Sequence, residues 1–135
     1  MDRSRPYVML IDDDEDDLEM MSSSLELAGI RIKNFNSGIK ALFYLSLLSS
    51  DMELPSLIIM DYNMPMKNGY QVLLLLKENR ETRDIPVVLY STSMSGSLKE
   101  LLSAAGALAS FSKPWNYEEF TTQVEMIQEL LYAQA

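Results

Sequence analysis

Two apolar runs in this sequence end in acid, a third ends in hydroxyls and a weaker fourth ends in lysine. Leu57-Ile58-Ile59-Met60 runs straight into Asp61, and Tyr7-Val8-Met9-Leu10-Ile11 into Asp12-Asp13-Asp14. Pro86-Val87-Val88-Leu89-Tyr90 ends in Ser91-Thr92-Ser93, and Leu108 to Ser112 is followed by Lys113-Pro114. A short continuous apolar run reads as a strand buried on both faces. An unpaired charge inside such a strand is very costly, so these polar residues belong at strand ends, at the mouth of a sheet.

Gathered at one edge, Asp12, Asp13 and Asp61 would repel one another. One pair at about 4 Å costs roughly 4 kcal/mol at an effective dielectric near 20. Lys113 supplies one compensating charge, and a divalent cation would supply two more. Oxygen ligands favour Mg²⁺, with Mn²⁺ acceptable. A carboxylate beside Mg²⁺ and a lysine can attack a phosphorus centre and become an acyl phosphate. The positive groups would neutralise the phosphoryl oxygens in the transition state, and the Ser91 hydroxyl could bind one of those oxygens afterwards.

The intervening segments must bring these ends together. Residues 1–6 read as a polar tail. From Glu15, Leu18, Met21, Leu25 and Ala28 recur at helical spacing, with Gly29 as a stop. Ile30 to Phe35 alternates as a half-exposed strand does. A second helix follows Ser37-Gly38 to about Leu48, and 49–55 reads as linker. Pro and Gly punctuate the loop from Met64 to Gly69. Tyr70 to Asn79 is predicted as a helix whose four consecutive leucines call for cover on more than one side. Ser97 to Ala105 forms a short helix. Asn116 with Glu119 resembles a capping box for a last helix carrying Phe120, Val124, Ile127 and Leu131.

Five strands thus alternate with five helices, which implies an α/β fold: a doubly wound, mostly parallel five-stranded sheet between two helical layers. In such flavodoxin-like folds with order 2-1-3-4-5 the ligand site lies beyond the carboxyl ends of the strands, where strands 1 and 3 meet. Those are the two strands that end in aspartate.

Composition narrows the chemistry. With 135 residues the expectation is one domain, 1–135. Cys and His are both absent, which excludes disulfides, thiolate catalysis, Ser-His triads and most transition-metal sites. A net charge of −9 argues against nucleic acid and anionic membranes. No membrane-spanning run or secretory signal is present, so the cytoplasm is the default location. Asp12, Asp14 and Asp16 alternate like a calcium loop, but Asp17 and Ser23 stand where that loop needs Gly and Glu. There is no G-x-x-x-x-G-K-[ST] or G-x-G-x-x-G. Aspartyl phosphatases of the haloacid dehalogenase type need a second aspartate where this chain has Asn63. Glu15, Asp16 and Asp17 read as ordinary helix-start acids.

Ile11-Asp12-Asp13, Met60-Asp61-Tyr62-Asn63-Met64-Pro65 with Gly69, Ser91 five residues after Pro86, and Lys113-Pro114 together resemble the receiver domain of two-component response regulators, stand-alone in type. The resemblance covers essentially the whole chain. It implies that Asp61 is the phosphoacceptor, taking a phosphoryl group from a sensor histidine kinase or a histidine phosphotransfer protein. It implies that Asp13 binds Mg²⁺ directly, Asp12 beside it partly through water, and the Asn63 backbone carbonyl completes the set. Ser91 is the switch hydroxyl, with Thr92 the less favoured choice of register, and Lys113 reaches the phosphoryl group. The domain would assist its own phosphorylation and dephosphorylation without being an enzyme, and would signal by changing affinity for an unidentified partner protein. Homodimerisation through the face of the fourth helix, fifth strand and fifth helix is also implied. The competing expectation is a receiver-like interaction module that is never phosphorylated.

One position departs from the chemotaxis-type pattern. Three residues before Lys113, where those receivers carry a switch aromatic, stands Ser110. The aromatic is Phe111, which points to the opposite face of its strand. Output is then expected through the fourth helix and its loop.

Overall fold

A computed structural model describes residues 7–48 and 53–133. The expected tail 1–6 and most of the expected linker lie outside them. The elements are β1 (Tyr7–Ile11), α1 (Glu15–Leu27), β2 (Arg31–Phe35), α2 (Gly38–Ser46), β3 (Leu57–Asp61), α3 (Gly69–Glu78), β4 (Val87–Ser91), α4 (Gly96–Ala104), β5 (Ala109–Ser112) and α5 (Tyr117–Ala133). The sheet is parallel throughout, in order β2-β1-β3-β4-β5, as the strand–helix alternation predicts.

The sheet core explains why the strands lack alternation. Leu57, Ile58, Ile59 and Met60 are each fully buried, and each such side chain contributes about 1.5–3 kcal/mol. Successive residues serve opposite layers. Met9, Ile11, Ile58, Met60, Val87 and Leu89 pack against α2, α3 and α4 through Ala41, Leu45, Val72, Leu76 and Leu102. Val8, Leu10, Ile59, Val88 and Tyr90 pack against α1 and α5 through Met21, Leu25, Phe120, Ile127 and Leu131. By the same period of two, Asp12, Asp61, Tyr90, Phe111 and Lys113 fall on the α1/α5 side, whereas Ser91 and Ser110 fall on the other.

Local capping fixes the helix termini, at Gly29 and Asn116 as the sequence suggests. Asp14 accepts from the N–H groups of Asp16 and Asp17 to start α1. Gly29 follows its end at φ +85°, in the left-handed region that favours glycine. Asn68 and Gln71 form a complete capping box on α3, and Asn116 accepts from the Glu119 N–H at the start of α5.

Three details differ from expectation. β4 is displaced by one residue, so that Ser91 is its last residue. β5 starts at Ala109 and leaves Leu108 42% exposed, as an edge strand of little apolar mass tolerates. In the leucine run of α3, Leu73 and Leu76 are buried but Leu74 and Leu75 are 41% and 38% exposed. The helix has the sheet on one side only, and a turn of 3.6 residues carries the middle two leucines away from it.

Gly69 shows how tightly the loop after β3 is drawn in. Its N–H donates to the Tyr62 carbonyl at 2.8 Å. A Cβ there would lie 2.7 Å from Leu89 Cδ2 and 2.8 Å from the Tyr62 Cα, and the backbone atom cannot give way. Gly69→Ala is expected to cost about 1–3 kcal/mol in urea unfolding. Unchanged stability would show that the β3–α3 loop can relax.

Candidate functional site

The carboxyl ends of β1 and β3 bring three carboxylates together. Asp12, Asp13 and Asp61 each offer one oxygen, and the three oxygens lie within 4.8 Å of one another. Asp12 and Asp61 are buried, at 0% and 2% exposure, while Asp13 is exposed. Like charges this close repel by roughly 3 kcal/mol or more per pair at an effective dielectric near 20. Asp12 and Asp61 are each held in place at their own strand ends. The Asp12 N–H pairs with the Phe35 carbonyl, and Asp12 Oδ1 accepts from the Asp14 N–H at 2.9 Å. Asp61 Oδ1 accepts from the Asn63 N–H at 3.1 Å.

Lys113 enters from β5. Its own N–H pairs with the Ser91 carbonyl at 2.8 Å, which continues the strand register by one residue, and its side chain passes over β4 toward the ends of β3 and β1. The ammonium lies 3.4 Å from Asp12 Oδ2, 3.4 Å from Asp61 Oδ2 and 2.8 Å from Asp17 Oδ2. Burial works against its charge, yet the hydrogen bond to Asp17 and the charges of Asp12, Asp61 and Asp17 hold its ionisation above the ordinary lysine range. It is a cation at neutral pH.

Asp61 shows the opposite balance. Burial, then the Asp12 carboxylate, push it up from 3.8 to about 7, against the Asn63 N–H and Lys113, which pull it down. Asp61 is therefore divided between acid and carboxylate near neutral pH when Lys113 is the sole compensating cation.

Of the two hydroxyl candidates, Ser91 is 2% exposed and donates to Asn63 Oδ1 at 2.7 Å. Asn63 in turn touches Asp61 through its N–H, so the chain Ser91–Asn63–Asp61 is continuous. Thr92 is exposed. The Asn63 side chain thus has a place in the site besides its backbone.

Two further residues belong to the pocket and were not signalled by the sequence. Asp17 is the nearest carboxylate to Lys113, although its position in the first turn of α1 explains an acid without any such contact. Tyr90 donates its hydroxyl to Asp12 Oδ2 at 2.7 Å. Its ring stacks on Phe111 with centroids 6.2 Å apart at 11°, and Lys113 Nζ lies 5.3 Å from the centroid of the same ring. Burial, then the Asp12 charge, push the Tyr90 phenol well above its usual range, so it is a donor throughout. A strand tyrosine reads as core, and only the register of β4 against β3 and β5 reveals its reach.

The donor set consists of oxygens, two of them on buried carboxylates, with more negative charge than Lys113 offsets. It fits a hard divalent cation. The exposed Asp13 leaves the cluster open to solvent on one side.

Residues 8–125 match the sequence family described as response regulator receiver domain. Among curated relatives, the two-component response regulator ORR5 of Oryza sativa subsp. japonica is 37% identical over 87 residues, 64% of this chain and 62% of that protein. The chemotaxis protein CheV1 of Helicobacter pylori is 32% identical over 127 residues, 94% of this chain and 39% of that protein. The chain spans about half the length of several curated relatives it matches. The crystal structure of the phosphorylated cyanobacterial phytochrome response regulator RcpA superposes with a TM-score of 0.85 at 24% identity, over 97% of this chain and 96% of that one; it shares the fold.

The Asp61 shift has a sign that stability measurements can read. A carboxyl raised from 3.8 to about 7 holds its proton in the folded state where the unfolded chain has lost it. It therefore withdraws stability as pH rises through that window. Asp61→Asn removes this penalty. Relative to wild type, the variant is expected to gain on the order of 2 kcal/mol between about pH 5 and pH 8 in metal-free buffer. A difference independent of pH in paired denaturation curves would contradict the assignment.

Proposed function

The chain belongs to the response regulator receiver domain family, the signalling domains of two-component systems, and from that premise we propose that Asp61 is the phosphoacceptor of a phosphorylation-dependent switch formed by residues 7–133. The observation that carries this reading is the meeting of Asp12, Asp13, Asp61 and Lys113 at one sheet edge. A constitutive, unphosphorylated interaction module would have no use for that arrangement, which costs stability.

The chemistry follows from the side chains. An oxygen of Asp61 attacks the phosphorus of a phosphohistidine, held by a sensor histidine kinase or a histidine phosphotransfer protein. The new O–P bond forms as the N–P bond breaks, and the imidazole nitrogen keeps the electron pair. The nucleophile must be the carboxylate form, so the proton that Asp61 holds near neutral pH has to leave first. A hard divalent cation, Mg²⁺ or Mn²⁺, held by Asp12, Asp13, Asp61 and the Asn63 backbone carbonyl, would supply positive charge to that carboxylate and to the phosphoryl oxygens.

Lys113 begins paired with Asp17, its shortest contact, and would turn to the new phosphoryl oxygens. Ser91 begins on Asn63 Oδ1 and would turn its hydroxyl to another of them. Each leaves a partner behind, so phosphorylation rearranges the ends of β4 and β5. Ser110, not an aromatic, lies on the Ser91 face of β5, which leaves α4 and the β4–α4 loop as the route of output to a partner protein. A homodimer would use the α4–β5–α5 face, where Leu101 and Leu108 are 44% and 42% exposed. No helix among the described residues is long and apolar enough to cross a membrane.

The reading is tested with a small phosphodonor. Wild type incubated with acetyl phosphate is expected to gain one acid-stable, base-labile phosphoryl group by mass spectrometry, only with Mg²⁺ or Mn²⁺ present. Asp61→Asn is expected to gain none. Equal labelling of the variant, or labelling of wild type in chelator, would contradict it.

A further inference from the structure

The phosphoryl-transfer chemistry makes no use of one buried polar group, the phenol of Tyr90. In the strand register Tyr90 stands beside Asp61 of β3 and Phe111 of β5. Its acceptor is on neither strand. The side chain, 4% exposed, crosses β3 to reach Asp12 beyond β1, two strand spacings or about 9.6 Å away. Phe111 stacked on its ring and Lys113 near the ring face fix its direction. A core tyrosine needs only some acceptor, and a backbone carbonyl would do. This one donates to a fully buried carboxylate within the Asp12–Asp13–Asp61 cluster.

The two oxygens of Asp12 are thereby both served by the protein. Oδ1 takes the Asp14 N–H at 2.9 Å, and Oδ2 takes the Tyr90 O–H at 2.7 Å, with Lys113 3.4 Å away. Oδ1 and the backbone pairing of Asp12 already fix where the carboxylate sits, so the phenol adds charge compensation more than placement. A hydrogen bond to a carboxylate is strongest when the carboxylate carries its full charge. A divalent cation on the cluster draws that same charge away. The hydrogen bond and the cation are then two ligands of one carboxylate, and each weakens the other by the same factor.

We propose that Tyr90 stands in for the cation at Asp12, stabilising the cation-free pocket and thereby lowering the affinity of the pocket for Mg²⁺. The inference rests on reading Asp12, Asp13 and Asp61 as a cation site. It gives this chain a way to keep a crowded acidic pocket folded when the cation is absent and to keep cation binding readily reversible.

Tyr90→Phe tests it, because the ring and its stack on Phe111 remain and only the hydroxyl is lost. Mg²⁺ affinity is measured by calorimetry, and thermal unfolding is followed with and without Mg²⁺; neither readout needs phosphorylation. The variant is expected to melt lower than wild type without cation, to bind Mg²⁺ on the order of fivefold more tightly, and to close much of the gap in melting temperature at saturating Mg²⁺. Should the variant be unfolded in chelator, Mg²⁺ is expected to restore the folded circular dichroism spectrum. A purely structural tyrosine would lower the melting temperature equally in both conditions. Unchanged or weaker Mg²⁺ binding by the variant, or no recovery on adding Mg²⁺, would overturn the role of Tyr90 alone. Failure of wild type to bind Mg²⁺ would overturn the cation reading and this inference with it.

Discussion

Negative charge crowded into a buried sheet edge is the constraint on which the rest of this molecule depends. Asp12 and Asp61 are almost inaccessible to water, Asp13 adjoins them, and Asp17 reaches in from α1. One lysine faces Asp12, Asp17 and Asp61 together. Repulsion of this size exceeds what a solvated surface cluster would experience, because burial removes the screening. The pocket persists because donors converge on it: N–H groups from the turns after β1 and β3, the Lys113 ammonium, and the Tyr90 hydroxyl. Burial of the Asp61 carboxyl, and after it the Asp12 charge, outweigh these donors and leave Asp61 raised.

The two-sided sheet decides which side chains can take part. Alternation along each strand sends Asp12, Asp61, Tyr90, Phe111 and Lys113 toward α1 and α5, and Ser91 and Ser110 toward the other layer. The pocket is thus charged on one face and hydroxylic on the other, with Asn63 joining them through its N–H and its amide oxygen. The aromatic that β5 carries lies on the charged face, stacked on Tyr90. In the proposed switch, events at Asp61 would reach the α4 side through Ser91 and its strand, with no aromatic behind it.

Much of this was legible in the residues. Uninterrupted apolar strands, acids at two strand ends and a helix after every strand lead to the strand order and to Asp12, Asp13 and Asp61 at the reversal point. The displacement of the β5 aromatic was legible too, because a shift of one residue changes the face of a strand. The reach of Tyr90 was not, since it depends on lateral register and on a side chain crossing a neighbouring strand. Asp17 was obscured by a sufficient simpler cause, the preference of helix starts for acids. Exposure of Leu74 and Leu75 escaped the pattern because four consecutive leucines carry no periodicity.

The account is tested most directly at the Asp61 carboxyl itself, by ¹³C NMR titration of the protein in metal-free buffer and again with Mg²⁺. It predicts a midpoint near 7 without cation and a large downward displacement when Mg²⁺ is added. A metal-free midpoint near the ordinary carboxylate value of about 4, unmoved by Mg²⁺, would contradict it.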